Sequence, residues 1–336
     1  MRKGILLINL GTPKDPSNGK VRKYLTQFLN DRRVIDINAV GRSILVNGII
    51  VPFRTGKSAK LYKEIWTEKG SPLMIHSIDL QKKLQALMGD EYLVELGMRY
   101  QQPSIEKALD NLRMHCVSEI IAIPLYPQYA SSSTGTAVEE LFDCMKSWEV
   151  TPSVKVINKF YDREEFYQAW IDNVKEIDFS AYDHILFSYH GLPERHIIKS
   201  GKHYGNNSCV IGDCCNKITD LNQYCYRANC YETTRQFVKR FNIQEGKFTT
   251  AFQSRLDDKW LKPYSDKVVE ELAKSGKEKI LVLSPAFVAD CLETIHEIGT
   301  EYREIFMEAG GKTFDWVTSL NANDVWVNSL KKIILN

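Results

Sequence analysis

Long apolar runs are missing from this 336-residue sequence. None approaches the ~20 residues that a membrane-spanning helix needs. A surplus of one charge is missing as well. Lys and Arg number 44 against 42 Asp and Glu, a balance without the strongly basic face on which nucleic-acid binding depends. The opening MRKGILLINLGTP places two basic residues before an apolar run, but that run is too short for a signal sequence. It stops at Gly11-Thr12-Pro13 with no small-residue cleavage site. No GxGxxG and no P-loop pattern follows any apolar segment, which removes support for dinucleotide or P-loop chemistry. The expected location is the cytoplasm. With 43% hydrophobic residues the chain can bury a substantial core, and its length suits two domains.

Cysteine is concentrated. Five of the eight lie within SCVIGDCCNKITDLNQYCYRANC, at Cys209, Cys214, Cys215, Cys225 and Cys230. Disulfides, a metal site or reactive thiols would each gather cysteines this way, and a reducing compartment disfavours the disulfides. The spacing C-x4-C-C-x9-C-x4-C contains no CxxC knuckle. Cys116 and Cys144 fall on helical patterns and read as small core residues.

Apolar runs of strand length recur at 4–10, 92–97, 120–125 and 154–160, and again at 184–189, 248–252, 280–285 and 314–320. Between them, stretches such as 105–115, 137–148, 164–177 and 266–275 carry apolar residues at helical spacing. Strands apolar throughout, alternating with helices, predict parallel sheets covered on both faces. The expected fold is α/β, with two doubly wound Rossmann-like domains at 1–160 and 161–336 and a site in the cleft between them.

The unusual chemistry sits where strands end. His190 closes an apolar strand in SYHGLP; it reads as a metal ligand, a proton acceptor near neutral pH, or a hydrogen-bonded half-buried histidine. Asp290, Glu293, Glu297 and Glu301 recur at spacings of three and four, which aligns them on one helical face. Such a row suits a hard divalent cation, or is a solvated face complementing the helix dipole. Tyr100, Tyr126, Tyr129, Phe287 and Trp260 would wall a flat apolar ligand or simply fill core. Arg54, Lys57 and Lys60 flank the apolar segment 44–53, a buried helix or a greasy flap.

Taken together, INLGTP, GMRY, PLYPQYASSSTG, SYHGLP and SPAFVADCLET occur in the order found in ferrochelatases, and the chain resembles that family nearly end to end. The resemblance implies insertion of Fe2+ into protoporphyrin IX with release of protons, the ring lying between two Rossmann-like domains. It matches His190 to the family's metal-binding or proton-abstracting histidine and Glu293 to its partner carboxylate. Glu297 and Glu301 match an acidic path for metal or protons. Arg54, Arg99, Tyr100, Tyr129 and Trp260 become porphyrin contacts. Segment 44–53 becomes a lip, which implies peripheral contact with the inner membrane face. Cys291 stands where some relatives carry histidine. Insertion 205–230, which precedes a helix expected to begin near Glu232, resembles the internal cysteine-rich segment through which certain members hold a [2Fe–2S] cluster, which needs four thiolates. The expected set is Cys209, Cys225 and Cys230 with either Cys214 or Cys215; zinc and unligated thiols are the alternatives. The alternatives for activity are a chelatase of coproporphyrin or sirohydrochlorin and a non-catalytic haem or Fe–S sensor.

Overall fold

The computed structural model describes residues 2–203 and 209–336; positions 205–208 of the cysteine-rich insertion lie outside the described residues. The chain forms two compact units. The first comprises Met1–Tyr126, Ser131–Lys159 and Asn321–Asn336, and the second Pro127–Ala130 and Phe160–Leu320.

The first unit is built on β1 (Lys3–Gly11), β2 (Tyr92–Tyr100), β3 (Glu119–Pro124) and β4 (Ser153–Val156), all parallel in the order β2-β1-β3-β4. Ile5, Leu6, Leu7 and Ile8 are all fully buried, so the central strand is covered on both faces, as its unbroken apolar run requires. Leu6, Ile8, Ile120 and Ala122 pack against Ile105, Leu109 and Leu112 of helix Ile105–Met114 and against Leu141 of helix Thr136–Met145.

The second unit repeats the plan with β5 (His184–His190), β6 (Phe248–Gln253), β7 (Lys279–Leu283) and β8 (Thr313–Trp316) in the order β6-β5-β7-β8. Leu186 of β5 meets Val269 and Phe306 on one face, while Phe187 stacks on Phe237 of helix Tyr226–Arg240 on the other. In each unit the strand order reverses at the central strand. The carboxyl ends of β1 and β3, and of β5 and β7, are therefore the switch points where doubly wound sheets bind ligands.

Four differences from the sequence reading have physical causes. Strands β4 and β8 stop before the end of their apolar runs, because Ile157 and Val317 only hand a last N–H to Ala122 and Val282 before the chain turns away. The helix after the cysteines starts at Tyr226, not near Glu232, so Cys230 is a helical residue. Residues 321–336 do not stay with the second half. Helix Asp324–Leu335 packs in the first unit, burying Trp326, Val327 and Leu330, with Lys331 Nζ donating to the Leu87 carbonyl at 3.0 Å. Finally, the acidic row rides on a π-helix, Glu293–Tyr302, rather than an α-helix. Such wider i→i+5 turns occur preferentially at functional sites. Segment Ile44–Ile50 is likewise π-helical and leads into helix Val51–Ile65.

Candidate active site

Strand β5 outruns its neighbour. β7 ends opposite Phe187, while β5 continues through Ser188 and Tyr189 to His190, which pairs with Gln253 at the end of β6. His190 is thus the last strand residue at the switch point, and its ring is partly exposed. Its Nδ1 lies 2.7 Å from the Gly191 carbonyl. A neutral ring in that position donates from Nδ1 and leaves the Nε2 lone pair available as acceptor or ligand.

The turn after His190 is tight. Gly191 N donates to the Gln253 carbonyl at 2.8 Å. A Cβ on Gly191 would sit 2.6 Å from that carbonyl oxygen and 3.3 Å from Trp260 Cε3, so only glycine fits. Main-chain bonds from Leu261 to Leu192 and from Glu194 to Lys259 tie the Trp260 segment alongside. Phe287, from the loop after β7, lies with its ring centroid 6.4 Å from the His190 ring.

Glu297 is the most elaborately held carboxylate of the site. Oε1 accepts from Ser254 N at 2.7 Å and from the Tyr302 hydroxyl at 2.9 Å. Oε2 accepts from Gln253 Nε2 at 3.1 Å and from Ser254 Oγ at 2.5 Å. Ser254 adopts φ +62°, a left-handed conformation costly for a residue with a Cβ, which brings both its N–H and its hydroxyl to the carboxylate. The Gln253 amide is itself oriented: its Oε1 accepts from Ser188 Oγ at 2.8 Å, and Ser188 Oγ contacts Ser265 Oγ at 2.8 Å. Burial pushes the Glu297 carboxyl above the ordinary carboxylate range, and the Ser254 and Tyr302 bonds and His190 oppose that shift. Glu293, whose carbonyl accepts from Gln253 Nε2, raises it further. His190, Glu293 and Glu297 therefore share one electrostatic environment. Glu301, a further turn along, is exposed.

Asp290 leaves the expected row. It precedes the π-helix and is buried, accepting from Thr294 Oγ1 and Ser319 N, both at 3.0 Å, so its task is to pin the loop. In the first unit, Arg99 is engaged with Asp31 at 2.9 Å, Glu140 at 3.1 Å and Thr136 at 2.7 Å. Tyr100 is fully buried and donates to Asp31 at 2.9 Å, so it offers no surface for the porphyrin contact expected of it. Arg54 is exposed beside Phe53. Tyr129 packs edge-on against Tyr224 of the cysteine-rich insertion, with ring centroids 5.4 Å apart.

All eight cysteines are free thiols. In the insertion they form a chain of neighbours: Cys209 and Cys214 sulfurs lie 4.0 Å apart, as do those of Cys214 and Cys215. Cys215 is hydrogen-bonded to Cys225, and that bond, with Arg227 beside it, holds the Cys215 thiol down at about 5. Desolvation pushes Cys214 up to about 12, and its thiol meets the Val210 carbonyl at 3.0 Å. Cys230 is fully buried one helical turn after Tyr226. Among the described residues no three His, Cys, Asp or Glu side chains converge on a single metal-binding point, and no helix is long and apolar enough to cross a membrane.

Ser254, Gln253 and Tyr302 carry no motif of their own in the sequence; Ser254 and Gln253 are recognisable only as residues at a strand end.

Comparison with known proteins supplies the family. Residues 2–336 match the family described as Ferrochelatase. A ferrochelatase of Legionella pneumophila (strain Lens) is 45% identical over 335 residues, spanning 99% of this chain and 99% of that protein. One of Coxiella burnetii (strain Dugway 5J108-111) is 42% identical over 337 residues, spanning 98% of this chain and 92% of that protein. Among solved structures, SirB from Bacillus subtilis with Fe3+ aligns with a TM-score of 0.58 at 10% identity, covering 100% of this chain and 97% of that one. The cobalt complex of the sirohydrochlorin chelatase SirB from Bacillus subtilis subspecies spizizenii gives 0.54 at 10% identity, covering 100% and 94%. At that identity the likeness speaks for the fold alone. A match running from residue 2 to the last residue, together with full-length relatives at 42% and 45% identity, establishes that the chain belongs to the ferrochelatase family.

Proposed function

We propose that this protein inserts Fe2+ into protoporphyrin IX, a porphyrin metal chelatase of the lyase class. Beyond family membership, the observation that carries the reading is the grouping of His190, Glu293 and Glu297 at the switch point of the second unit. The ring loses two pyrrole protons as the dication enters, so charge balances and a proton acceptor is required. The available Nε2 of His190 fills that role, and Glu293 is its partner carboxylate. The row Glu293, Glu297, Glu301 runs from the His190 environment to an exposed end, which suits stepwise passage of metal or protons. Trp260 and Tyr129 supply aromatic surface for the ring, and Arg54 supplies a cationic group for its carboxylates; Arg99, expected to share that task, is already paired with Asp31 and Glu140. The protein is read as cytoplasmic, and the exposed apolar side chains of Val40, Ile44, Ile49 and Phe53 support contact of this lip with a membrane surface. Anaerobic insertion assays with protoporphyrin IX, coproporphyrin and sirohydrochlorin side by side test the reading. Protoporphyrin is expected to give the highest kcat/KM; no turnover with it sinks the assignment.

Donor chemistry supports a [2Fe–2S] cluster in the cysteine nest: five soft sulfurs lie in one segment, none in a disulfide, and the Cys225 bond and Arg227 hold the Cys215 thiol down. The ligands in this reading are Cys209, Cys215, Cys225 and Cys230, with Cys214 spare because its thiol is engaged with Val210. When bound, the cluster would clip the insertion together. Cys214→Ser is expected to retain the visible absorption and dithionite bleaching of such a centre, and Cys215→Ser to lose both. The opposite pattern reverses the ligand choice, and a colourless, zinc-containing protein replaces the cluster with zinc.

A further inference from the structure

The Tyr226 hydroxyl joins the cysteine nest to the strand end that carries His190. Tyr226 opens helix Tyr226–Arg240, directly after Cys225 and one turn before Cys230, and it is buried. Its hydroxyl donates to the main-chain carbonyl of His190 at 2.8 Å. The Cys230 thiol, one helical turn further on, neighbours the same hydroxyl, and the two groups act on each other electrostatically. Because β7 has ended opposite Phe187, His190 has no neighbour on that edge, and a side chain serves its carbonyl. On the following residue, Gly191 N is tied to Gln253 and the Gly191 carbonyl to the His190 ring. The imidazole is thus held by a frame of which Tyr226 is one member.

We propose that Tyr226 is a positioning residue that sets the orientation of His190 and makes it depend on the state of the cysteine nest. This rests on the reading of His190 as the proton acceptor. A phenol has one hydrogen to give. It serves the His190 carbonyl or the Cys230 sulfur, so any ligand that engages or moves that sulfur redistributes the bond. No such link follows if the hydroxyl merely fills space.

Tyr226→Phe keeps the ring and deletes the bond. Small misplacements of a catalytic group are costly, and kcat for Fe2+ insertion is expected to fall about ten-fold with KM for protoporphyrin unchanged. A second readout does not depend on activity. In protein carrying 13C-labelled histidine rings, the His190 resonance is identified by its loss in His190→Ala. It is expected to shift in Tyr226→Phe. It should also shift in Cys230→Ala, but not when Cys230→Ala is added to Tyr226→Phe. An unmoved resonance with unchanged kcat in Tyr226→Phe overturns the positioning role. Equal shifts from Cys230→Ala in both backgrounds overturn the coupling. If Tyr226→Phe fails to fold, an unmoved His190 resonance in Cys230→Ala alone overturns the proposal. Wild-type kcat in His190→Ala would instead sink the reading of His190 itself.

Discussion

His190→Ala is expected to cut kcat for Fe2+ insertion by about 10²–10⁴-fold, the usual contribution of a positioned acid–base group. The same substitution should barely touch the fold. His190 is partly exposed at the carboxyl end of β5, and its ring bonds locally to the Gly191 carbonyl. Losing such a bond costs about 1 kcal/mol, which moves the melting temperature of a chain this long by no more than about 2–4 °C. The expected result is therefore a protein that melts almost normally and turns over poorly. Millimolar imidazole should restore part of the rate by supplying an acceptor in the vacated space. A variant that retains full turnover would refute the assignment of His190. One that loses turnover only in proportion to its melting temperature would show a packing role instead.

The central strands were the most legible because they are covered on both faces, a requirement that leaves unbroken runs such as Ile5-Leu6-Leu7-Ile8 and Ile185-Leu186-Phe187. Position at a strand end then singled out His190 without any structural knowledge. What stayed hidden was set by contacts distant in sequence or by backbone detail. Over ten residues, apolar spacing does not separate an α-helix from the π-helix Glu293–Tyr302. Asp290 looks like the first rung of an acidic row, but its partner Ser319 lies in the loop that follows β8, distant in sequence. GMRY correctly marks a strand end, yet Arg99 and Tyr100 are claimed by Asp31, which nothing nearby in the sequence announces. The early start of the helix at Tyr226 was obscured by Tyr, Asn and Cys, which are indifferent helix formers. That helix start is also what brings Tyr226 to the carbonyl of His190.

Glu297→Gln is expected to lower kcat/KM for Fe2+ about 10–100-fold, the range seen when an oriented carboxylate next to a metal path is lost. The geometry explains why an isosteric amide is a poor replacement. Two donors meet each carboxylate oxygen. An NH2 placed at Oε2 faces the Gln253 amide, which Ser188 holds in place; placed at Oε1 it faces the main-chain N–H of Ser254. The hydroxyls of Ser254 and Tyr302 can turn and accept, but the Gln253 amide in its held orientation and the Ser254 N–H cannot. One donor is left facing another, at about 1–3 kcal/mol. The pH dependence has a definite sign. The folded-state pKa of Glu297 is raised, so the folded protein favours the protonated acid. Its stabilising contribution is full below the unfolded-state pKa and fades as pH rises through the raised value. Glutamine does not titrate, so the stability gap between wild type and Glu297→Gln should be widest in acid and narrow toward neutrality. Activity should follow the ionised form, with an acid limb in kcat/KM above the ordinary carboxylate range. Tyr302→Phe removes a bond that favours the carboxylate and should move that limb to still higher pH. A profile that Tyr302→Phe leaves in place would mean that Glu297 does not set the limb, and the metal or proton path would then have to run through Glu293 alone.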